Sequence, residues 1–427
     1  MPTDSSTTDQ PAFGKLCVAG LGYVGLPTAA VFASRGLDVV GYDINAETVA
    51  LINDGRVHIV EPELDILVNG AVARGKLRAA TAPEAADVFI IAVPTPFKDG
   101  HKPDLGYVQA ASDAIAPVLQ AGNLVIVEST SPVGTTEQVS AWLAAKRLDL
   151  TFPHSAGETA DVCVAHSPER VLPGRVLIEL TSNDRVVGGL TRRCAERAAA
   201  FYKIAVAGRC LLTKARTAEL VKLAENAYRD VNIAFANELD AVGGRLGIDV
   251  WEAIDLANHH PRVNILQPGP GVGGHCIAVD PWFIVDSAPD DTPLIQAARQ
   301  VNDDKPKRIV AAAKALVAGI DKPTLACLGL AYKADIDDLR ESPAVEIVCA
   351  LAAAVDGSVL VVEPYVDTLP DILAATPNVH LTDIANAYAA ADAIVLLTDH
   401  QAFRENPPPA GRTPVIDSRN AWPKPRD

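Results

Sequence analysis

The stretch Lys15-Leu-Cys-Val-Ala-Gly-Leu-Gly-Tyr-Val-Gly25 decides the fold, because it is a short apolar strand that runs into a GxGxxG turn. An alanine-rich helical segment follows from Leu26 to Arg35, and the next strand, Asp38-Val-Val-Gly-Tyr, ends at Asp43. Strand, glycine turn, helix, strand and terminal acid are the fingerprint of a dinucleotide-binding βαβ unit. The sequence therefore predicts an N-terminal α/β domain that binds NAD.

The turn and the acid have different roles in holding the cofactor. Backbone N–H groups and the helix dipole favour a pyrophosphate at the start of the helix. Asp43 is expected to accept both adenosine ribose hydroxyls and to repel a 2′-phosphate, which favours NAD over NADP. An ordinary βαβ turn is the alternative. The cofactor-binding residues predicted here are Gly20, Gly22, Tyr23, Val24, Gly25 and Asp43.

Two further strands, Val88 to Val93 and Leu124 to Val127, end in loops that contain threonines. Ligands of open α/β sheets bind beyond the carboxyl ends of the strands, so Thr95 and Thr130 are expected to line the cofactor cleft. Thr136 is a further predicted cofactor-binding residue. Threonines at such places also cap the segments that follow, and this alternative stays open.

A glycine-rich stretch, Gln267-Pro-Gly-Pro-Gly-Val-Gly-Gly-His-Cys276-Ile-Ala-Val-Asp280, presents a cysteine with a carboxylate four residues on. A thiolate on a glycine turn can approach a substrate closely, while a neighbouring acid manages water or a proton. This pattern is typical of a nucleophile. Taken alone, the stretch fits a loop with a buried, inert cysteine equally well.

A long helix is predicted from about Thr217 to Val242, closed by Gly243-Gly244. Lys222, Asn226 and Arg229 fall at i, i+4 and i+7, so they form a polar stripe on an otherwise apolar helix. We expect the helix to be central, between domains or subunits, with the stripe facing a cleft; a solvated face is the alternative. Upstream, the loop 166–174 sets Glu169 beside Arg170 at a cleft edge.

A second α/β pattern follows a helical stretch that is expected to end near Gly319. Strands are predicted at Thr324 to Leu328, Ser358 to Val362 and Ala393 to Leu397. A full GxGxxG is lacking, so no second dinucleotide is expected, whereas Lys333 and Arg340 suit a phosphate. Surface charge is the alternative role for both.

The predicted fold class is α/β, with two doubly wound Rossmann-like domains joined by a long central helix. The predicted segments are a disordered tail (1–10), an NAD-binding domain (11–210), a helical central and dimerisation domain with the cysteine loop (211–318), and a second Rossmann-like domain (319–427).

Composition excludes several classes of protein. The 37 Lys and Arg against 53 Asp and Glu give a net charge of −16, which argues against nucleic-acid or anionic-membrane binding. Seven cysteines without a CxxC pair indicate neither a disulfide framework nor a metal site, and they suit the reducing cytoplasm. No apolar run reaches the ~20 residues of a membrane span. No signal peptide is recognisable at the N-terminus.

Seven motifs occur in order: GLGYVGLP, VPTP, STSPVG, SPERVLPG, KLAENAYRD, GPGVGGHCIAVDPWF and LAYKADIDDLRESP. They resemble the UDP-glucose/GDP-mannose dehydrogenase family along nearly the whole chain. The resemblance implies an N-terminal NAD-binding domain, a central dimerising helix and a C-terminal domain that grips the nucleotide of a UDP-sugar. It also implies a homodimer, with Arg262 reaching into the other subunit's site.

Several motif residues differ from those of the UDP-glucose branch of the family, and these differences bear on which sugar is the substrate. Arg170, Val171 and His275 stand where that branch has other residues, and the pattern is more similar to the N-acetylhexosamine branch. Within it, the resemblance favours UDP-N-acetyl-D-mannosamine, with UDP-N-acetylglucosamine as the alternative.

The family reaction oxidises C6 of a nucleotide sugar to a carboxylate with two NAD and one water. The resemblance implies that Cys276 forms a thiohemiacetal and then a thioester, which water hydrolyses. The catalytic residues it implies are Cys276, Lys222, Asn226, Asp280, Glu169 and Thr130. The substrate-binding residues are Arg170, Val171, Lys222, Asn226, Arg229, His260, Arg262, Gly273, Tyr332, Lys333 and Arg419, while Arg340 lies on the cofactor side.

Two other interpretations stay open. A two-electron dehydrogenase of the hydroxyacid type has a similar N-terminal fold but no role for Cys276. A non-catalytic protein that binds NAD or a nucleotide sugar would use Cys276 only structurally.

Overall fold

Short apolar strands of three to five residues build two main sheets, one in each of two compact units, Met1–Leu223 and Ala224–Asp427. The computed structural model describes residues 13–59, 61–171, 174–274, 276–411 and 413–422. The predicted disordered tail (1–10) and His275 lie outside the described residues.

The first unit alternates strands and helices. Its strands are β1 (Lys15–Ala19), β2 (Asp38–Tyr42), β3 (Leu77–Ala80), β4 (Val88–Ile91), β5 (Phe97–Lys98), β6 (Lys102–Pro103), β7 (Leu124–Val127), β8 (Cys163–His166), β9 (Arg185–Gly189) and β10 (Cys210–Lys214). Its helices are α1 (Gly25–Ser34), α2 (Ala46–Asn53), α3 (Leu64–Ala73), α4 (Gly106–Ile115), α5 (Thr135–Lys146), α6 (Pro153–Ala156), α7 (Val176–Ser182) and α8 (Arg192–Tyr202).

The main sheet of this unit has the order β10-β9-β8-β7-β4-β1-β2-β3. From β3 to β8 all neighbours are parallel, and this part has the strand order of a dinucleotide-binding fold. β9 turns antiparallel to β8, and β10 pairs parallel with β9. Along β1, Leu16 and Val18 enter one apolar core while Cys17 and Ala19 enter the other, so both faces are covered.

A single long helix, α9 (Ala215–Leu246), runs from the first unit into the second. The predicted end at Gly243-Gly244 is wrong, because the helix continues through both glycines. The chain leaves the helix at Gly247, which has φ of +69°, and the N–H of Ile248 donates to the carbonyl of Gly243 at 2.9 Å. The glycine stop signal therefore belongs to Gly247.

The second unit has helices first and a smaller sheet afterwards. Its elements are α10 (Val250–Asn258), α11 (Asp280–Ser287), α12 (Pro293–Leu316), β11 (Thr324–Leu328), α13 (Pro343–Ala354), β12 (Ser358–Val362), α14 (Asp371–Ala374), β13 (Val379–Leu381), α15 (Ile384–Ala390), β14 (Ala393–Leu396), α16 (Gln401–Glu405) and β15 (Val415–Asp417). The helical stretch predicted up to Gly319 is thus two helices, α11 and α12.

The sheet of the second unit is parallel throughout, in the order β13-β12-β11-β14-β15. Leu325 and Cys327 enter one apolar core, and Ala326 and Leu328 enter the other. Each unit therefore has a Rossmann-like sheet covered on both faces, and the predicted fold class is confirmed. The predicted domain boundaries stay a prediction.

Candidate active site

The turn after β1 is held in a shape that only glycine permits. Gly20 has φ of +92°, and its N–H donates to the carbonyl of Tyr42 at 2.8 Å. A Cβ on Gly25 would lie 1.8 Å from the carbonyl oxygen of Gly20, so α1 can approach β1 only with glycine there. A Cβ on Gly22 would meet nothing within 4 Å. The turn therefore exposes backbone beside a helix N-terminus, which is what a pyrophosphate needs.

Asp43 stands at the end of β2 beside this turn. The N–H of Leu21 donates to Oδ2 of Asp43 at 2.9 Å, and the N–H of Asn45 donates to Oδ1 at 2.9 Å. The side chain is half-buried. Since each carboxylate oxygen can accept more than one hydrogen bond, Asp43 keeps acceptor capacity for ribose hydroxyls. Tyr23 and Val24 are half-buried within the turn.

The two threonine loops lie at the carboxyl ends of β4 and β7, where Thr95 and Thr130 are both half-buried. Ser129 joins these loops, because its hydroxyl accepts from the N–H of Val93 at 2.9 Å and donates to the carbonyl of Val93 at 2.8 Å. The predicted loops are therefore neighbours.

Thr136 is buried in the first turn of α5 and bound by Glu219 of α9. The carboxylate accepts from the N–H of Thr136 at 2.7 Å, from its hydroxyl at 2.5 Å and from the N–H of Gly134 at 2.6 Å. Burial raises the pKa of Glu219, although these hydrogen bonds oppose the shift. Glu219 thus caps the N-terminus of α5, and the Thr136 hydroxyl donates to that carboxylate.

The loop after β8 holds Glu169 through both carboxylate oxygens. Oε1 accepts from the N–H of Arg170 at 2.7 Å, and Oε2 accepts from the guanidinium of Arg185. The Arg170 guanidinium donates to the carbonyl of Asp184. Val171 is half-buried against the apolar core. The carboxylate is therefore fixed rather than free to rotate.

The end of the same loop is tied down by Glu61. Its carboxylate accepts from the N–H of Gly174 at 2.8 Å and from the N–H of Val176, the first residue of α7, at 2.7 Å. Sequence reasoning missed Glu61 because its partners lie more than a hundred positions away.

The polar stripe of α9 is graded in exposure: Lys222 and Asn226 are half-buried, and Arg229 is exposed. The Asn226 amide donates to Oδ2 of Asp280 at 2.5 Å. Asp280 is buried at the start of α11, and its N–H donates to the carbonyl of Cys276 at 2.8 Å. Within the second unit, Asn226, Asp280 and the half-buried Cys276 are therefore brought together.

The glycines before Cys276 are packed against the second sheet rather than left open. A Cβ on Gly273 would lie 2.7 Å from the Cβ of Tyr332, and one on Gly269 would lie 2.8 Å from Nη1 of Arg419. A Cβ on Gly271 would lie 2.8 Å from the Cβ of Pro343, and one on Gly274 would lie 3.1 Å from the Tyr332 ring. We interpreted these glycines as giving the thiolate room; their Cβ positions show that they make room for neighbouring side chains.

A buried ladder of polar groups anchors this loop to the helices. Asn237 on α9 accepts from the N–H of Gly269 at 2.9 Å and donates to Oδ1 of Asn302 on α12 at 2.9 Å. Asn302 donates in turn to Asp230 at 2.8 Å, and Arg299 donates to Asp230 at 2.6 Å. The cysteine loop is thus fixed at its start.

The remaining predicted residues lie on loops of the second unit. His260 and Arg262 are exposed on the loop after α10, while Lys333 is half-buried beside Tyr332 after β11. Arg340 donates through two nitrogens to Asp338, at 2.6 and 2.8 Å. Burial lowers the pKa of Arg419, whose Nε lies 3.6 Å from Oδ1 of Asp399.

Three models of one family match consecutive parts of the chain. They are its NAD binding domain over residues 14–206, its central domain over 216–304 and its UDP binding domain over 326–424. The chain belongs to the UDP-glucose/GDP-mannose dehydrogenase family.

Relatives of this family cover the chain almost completely. It is 57% identical over 411 residues to an NDP-N-acetyl-D-galactosaminuronic acid dehydrogenase of Ralstonia nicotianae, with 96% of each chain covered. It is 58% identical over 394 residues to a UDP-N-acetyl-D-mannosamine dehydrogenase of Campylobacter jejuni, covering 92% of this chain and 97% of that protein. A solved UDP-D-ManNAc dehydrogenase structure from Pyrococcus horikoshii superposes with a TM-score of 0.87 at 41% identity and 96% coverage of both chains.

Family membership confirms the predicted enzyme class and cofactor: the chain is an NAD-dependent nucleotide-sugar dehydrogenase. The residues present fit NAD. Gly20 and Gly25, where a Cβ would clash, let the turn and the N-terminus of α1 come close together, so backbone N–H groups are exposed to a pyrophosphate. Asp43 beside them retains acceptor capacity for a ribose. A UDP-binding domain is also present.

Two further findings concern the residues that the structure describes. Among them, His, Cys, Asp and Glu form no group of three or more that is placed to hold a metal ion. None of the helices in this part of the chain has the length and apolar character that crossing a bilayer requires.

Proposed function

We propose that this dehydrogenase oxidises C6 of UDP-N-acetyl-D-mannosamine to the carboxylate, giving UDP-N-acetyl-D-mannosaminuronate with two NAD and one water. The observation that carries the proposal is Cys276, whose backbone is bonded to buried Asp280, itself bonded to Asn226. A thiol is needed for a four-electron oxidation, because it holds the aldehyde covalently between the two steps. A two-electron dehydrogenase would leave Cys276 without a role.

A second substrate is favoured by one comparison. The Ralstonia relative is named for an N-acetyl-galactosamine-type sugar and is 57% identical to this chain, against 58% for the Campylobacter mannosamine enzyme and 55% for the Yersinia one. Sugars that differ at one stereocentre can be distinguished by a single hydrogen bond, so overall identity does not separate them. UDP-N-acetylgalactosamine is therefore the second candidate, and UDP-N-acetylglucosamine is the third.

In the first oxidation, Lys222 and Asp280 hold the water that takes the C6 hydroxyl proton. When bound, NAD accepts a hydride in each of the two oxidations. Lys222 and Asn226 donate to the oxygen that develops negative charge, a type of contact whose loss costs ~10²–10³ in rate. Thr130 is proposed as a further catalytic residue of the first unit.

Cys276 then adds to the aldehyde carbon as a thiolate and forms a thiohemiacetal. The second oxidation converts this adduct to a thioester. Glu169 takes a proton from the water that attacks the thioester carbon, and the sulfur of Cys276 leaves with the electron pair of the C–S bond. The thiolate is restored for the next turnover.

The binding roles are proposals of the same kind. NAD is held by the turn after β1 together with Asp43, Thr95, Thr136 and Arg340. The UDP-sugar is held by cationic, aromatic and backbone groups, namely Arg170, Val171, Lys222, Asn226, Arg229, His260, Arg262, Gly273, Tyr332, Lys333 and Arg419.

A homodimer is proposed because α9 exposes a stripe of apolar side chains. Its members share one face at spacings of four, seven or eight residues, and they are Leu220, Tyr228, Phe235, Val242 and Leu246. Apolar stripes of this length on a helix are typical of interfaces. Exposed Arg262 would enter the partner's site. We also propose the cytoplasm as the compartment, since the seven cysteines, all within the described residues, form no disulfide.

The test is NADH formed per mole of limiting sugar nucleotide, with the mannosamine, galactosamine and glucosamine substrates in parallel. Two equivalents with the mannosamine substrate alone are expected. Two equivalents with another sugar would keep the mechanism and change the substrate, whereas one equivalent would support the two-electron alternative. No turnover with ligand binding intact would support the binding protein.

The matched control compares two half-buried cysteines, Cys276 and Cys210. Cys276→Ser is expected to abolish formation of the acid. A serine hydroxyl adds to the aldehyde far less readily than a thiolate, and the oxygen ester that would follow hydrolyses more slowly than a thioester. Cys210→Ser is expected to keep two equivalents. Acid formation at the normal rate in Cys276→Ser would exclude thiol catalysis.

A further inference from the structure

The proposed base, Glu169, belongs to a buried cluster of four side chains of the first unit. The other three are Glu128, Arg185 and Tyr202. Glu128 follows β7, and Arg185 is the first residue of β9. The side chains of Glu128 and Arg185 are 0% and 7% exposed, and that of Glu169 is 9% exposed. Burying a charged side chain this deeply costs free energy unless the charge is paired, so we asked which groups pair with each of them.

The guanidinium of Arg185 links the two carboxylates with two different nitrogens. Nη2 donates to Oε2 of Glu169, and Nη1 donates to Oε1 of Glu128 at 3.3 Å. The guanidinium lies over the ring of Tyr202, 4.4 Å from its centroid. The Tyr202 hydroxyl donates to Oε1 of Glu128 at 2.7 Å. Glu169 is therefore the outer end of a connected network.

Other groups complete the surroundings of the cluster. The Thr28 hydroxyl on α1 lies 3.4 Å from Oε2 of Glu128, and the Ser167 hydroxyl lies 3.4 Å from Nη1 of Arg185. On β10, the half-buried thiol of Cys210 is close enough to Arg185 to be affected by its charge.

The cluster contains two acids and one permanent cation. Burial raises the pKa of Glu128 to about 7; the charge of Arg185 opposes this shift and that of Glu169 adds to it. A proton on Glu128 cancels its negative charge, and the guanidinium then pairs chiefly with Glu169. When Glu128 ionises, the two carboxylates share the cation.

We infer that Arg185, with Glu128 behind it, is a positioning residue that holds the Glu169 carboxylate in the orientation needed to deprotonate the hydrolytic water. The inference rests on the proposed function, because it matters only if Glu169 acts on the thioester of Cys276. In that step the water oxygen bonds to the carbonyl carbon, one water proton passes to Glu169, and the C–S bond breaks. No electrons are exchanged with a cofactor.

Arg185→Lys tests the geometry while keeping the charge. A lysine ammonium is a point charge and lacks the planar fork that bridges two carboxylates. We expect hydrolysis to slow at least tenfold, while the steps before it continue. Rapid-quench kinetics would show a burst of NADH followed by slow turnover, and intact-protein mass spectrometry would show more acyl adduct on Cys276 than in the wild type.

Two further variants separate positioning from folding. Arg185→Met together with Glu128→Gln removes the buried cation together with the second acid that binds it, so Glu128 is not left as an unpaired buried carboxylate and Tyr202 keeps an acceptor. It is expected to fold and to accumulate the same adduct. Arg209→Lys is the matched control, since Arg209 is an exposed arginine that binds Asp184 in the same unit and is expected to behave as the wild type.

Wild-type steady-state rates without adduct in Arg185→Lys would overturn the inference. So would a variant that loses NAD binding and forms no adduct, because that result indicates a purely structural role. Failure of the wild-type enzyme to form two NADH would instead refute the proposed function, and the two failures are therefore distinguishable.

Discussion

The two sheets begin with the same turn, but only the first turn is built for a dinucleotide. Gly20 and Gly329 both have φ of +92°, and their N–H groups donate to the second strand, to Tyr42 at 2.8 Å and to Val362 at 2.9 Å. In both units the next residue donates its N–H to an acid at the end of that strand, Asp43 or Glu363.

The fate of that acid differs between the units. Glu363 is 5% exposed and also accepts from the N–H of Ala331 at 3.1 Å and from Nε2 of His400 at 3.0 Å. Nδ1 of His400 accepts from the N–H of Asp335 at 2.9 Å, which assigns the ring proton to Nε2. Half-buried Asp43 accepts instead from two backbone N–H groups, that of Leu21 in the turn after β1 and that of Asn45 in its own turn. The first acid remains available to a ligand, and the second acid stabilises its own loop.

The helix that follows differs as well. α1 begins at Gly25, the last glycine of the turn, whereas α13 begins only at Pro343, after a loop that includes Tyr332 and Lys333. A phosphate therefore meets backbone N–H groups in the first unit, while the second offers side chains. The same strand order thus serves two kinds of nucleotide contact.

The largest expected effect tests the fit of the first turn. Gly25→Ala places a methyl group 1.8 Å from the carbonyl oxygen of Gly20, so the backbone must shift and we expect a loss of about 2–4 kcal/mol in unfolding free energy. Urea unfolding measures this. Gly22→Ala, with nothing within 4 Å of the new Cβ, should unfold like the wild type and yet bind NAD more weakly. Equal unfolding free energies of the wild type, Gly25→Ala and Gly22→Ala would contradict the claim that the turn leaves no room for a Cβ at Gly25.

An intermediate effect is expected from removing each acid in turn. Asp43→Ala loses the ribose hydrogen bonds, so the KM for NAD should rise about 10- to 100-fold, with weaker discrimination against NADP. The KM for the UDP-sugar should stay unchanged. Glu363→Ala should show the reverse pattern, because it loosens the loop of Tyr332 and Lys333. Steady-state kinetics with each substrate varied measure both effects. An equal rise in the KM for NAD in both variants would contradict the different roles of Asp43 and Glu363.

The smallest effect is a pH dependence of the second unit. Burial would raise the pKa of Glu363, but the hydrogen bond from His400 and backbone donors lower it on balance. A carboxylate with a lowered pKa stabilises the fold above its unfolded pKa and loses that contribution as pH falls through its folded pKa. Glu363→Gln should thus be less stable than the wild type at pH 7 by on the order of 1 kcal/mol.

Thermal unfolding at pH 7, 5 and 4 measures this difference in stability. It should shrink once the pH falls below about 4.5, the ordinary pKa of a glutamate side chain in an unfolded chain. Glu405→Gln on the exposed surface of α16 is the control. A constant difference across this range would show that packing, and not charge, explains the role of Glu363.

Local patterns predicted the fold because their signals are complete within a few residues. The turn from Gly20 to Gly25 and the acid Asp43 could be recognised since one βαβ unit contains all of them. The end of α9 was placed too early because the sequence does not say which of three nearby glycines adopts positive φ. Only the chain beyond Gly247 decides that.

The buried partners of the site could not be predicted in this way. Arg185 pairs with Glu128 across 57 positions, and Glu61 pairs with Val176 across 115, so no periodicity connects them. One signal was present: Glu128 and Glu363 each follow directly on an apolar strand, as Asp43 follows β2. The rule that identified Asp43 applies to both of them.

The glycines ahead of Cys276 have a consequence for how this enzyme can diverge. A Cβ on Gly271 would lie 2.8 Å from Pro343 and one on Gly273 would lie 2.7 Å from Tyr332, while Gly271 and Gly274 have positive φ, so these positions of the thiol loop disfavour a larger residue. A residue larger than glycine would require a smaller one at Tyr332, Pro343 or Arg419 at the same time. The loop that carries Cys276 and the segments that carry Tyr332, Pro343 and Arg419 are therefore constrained to change together.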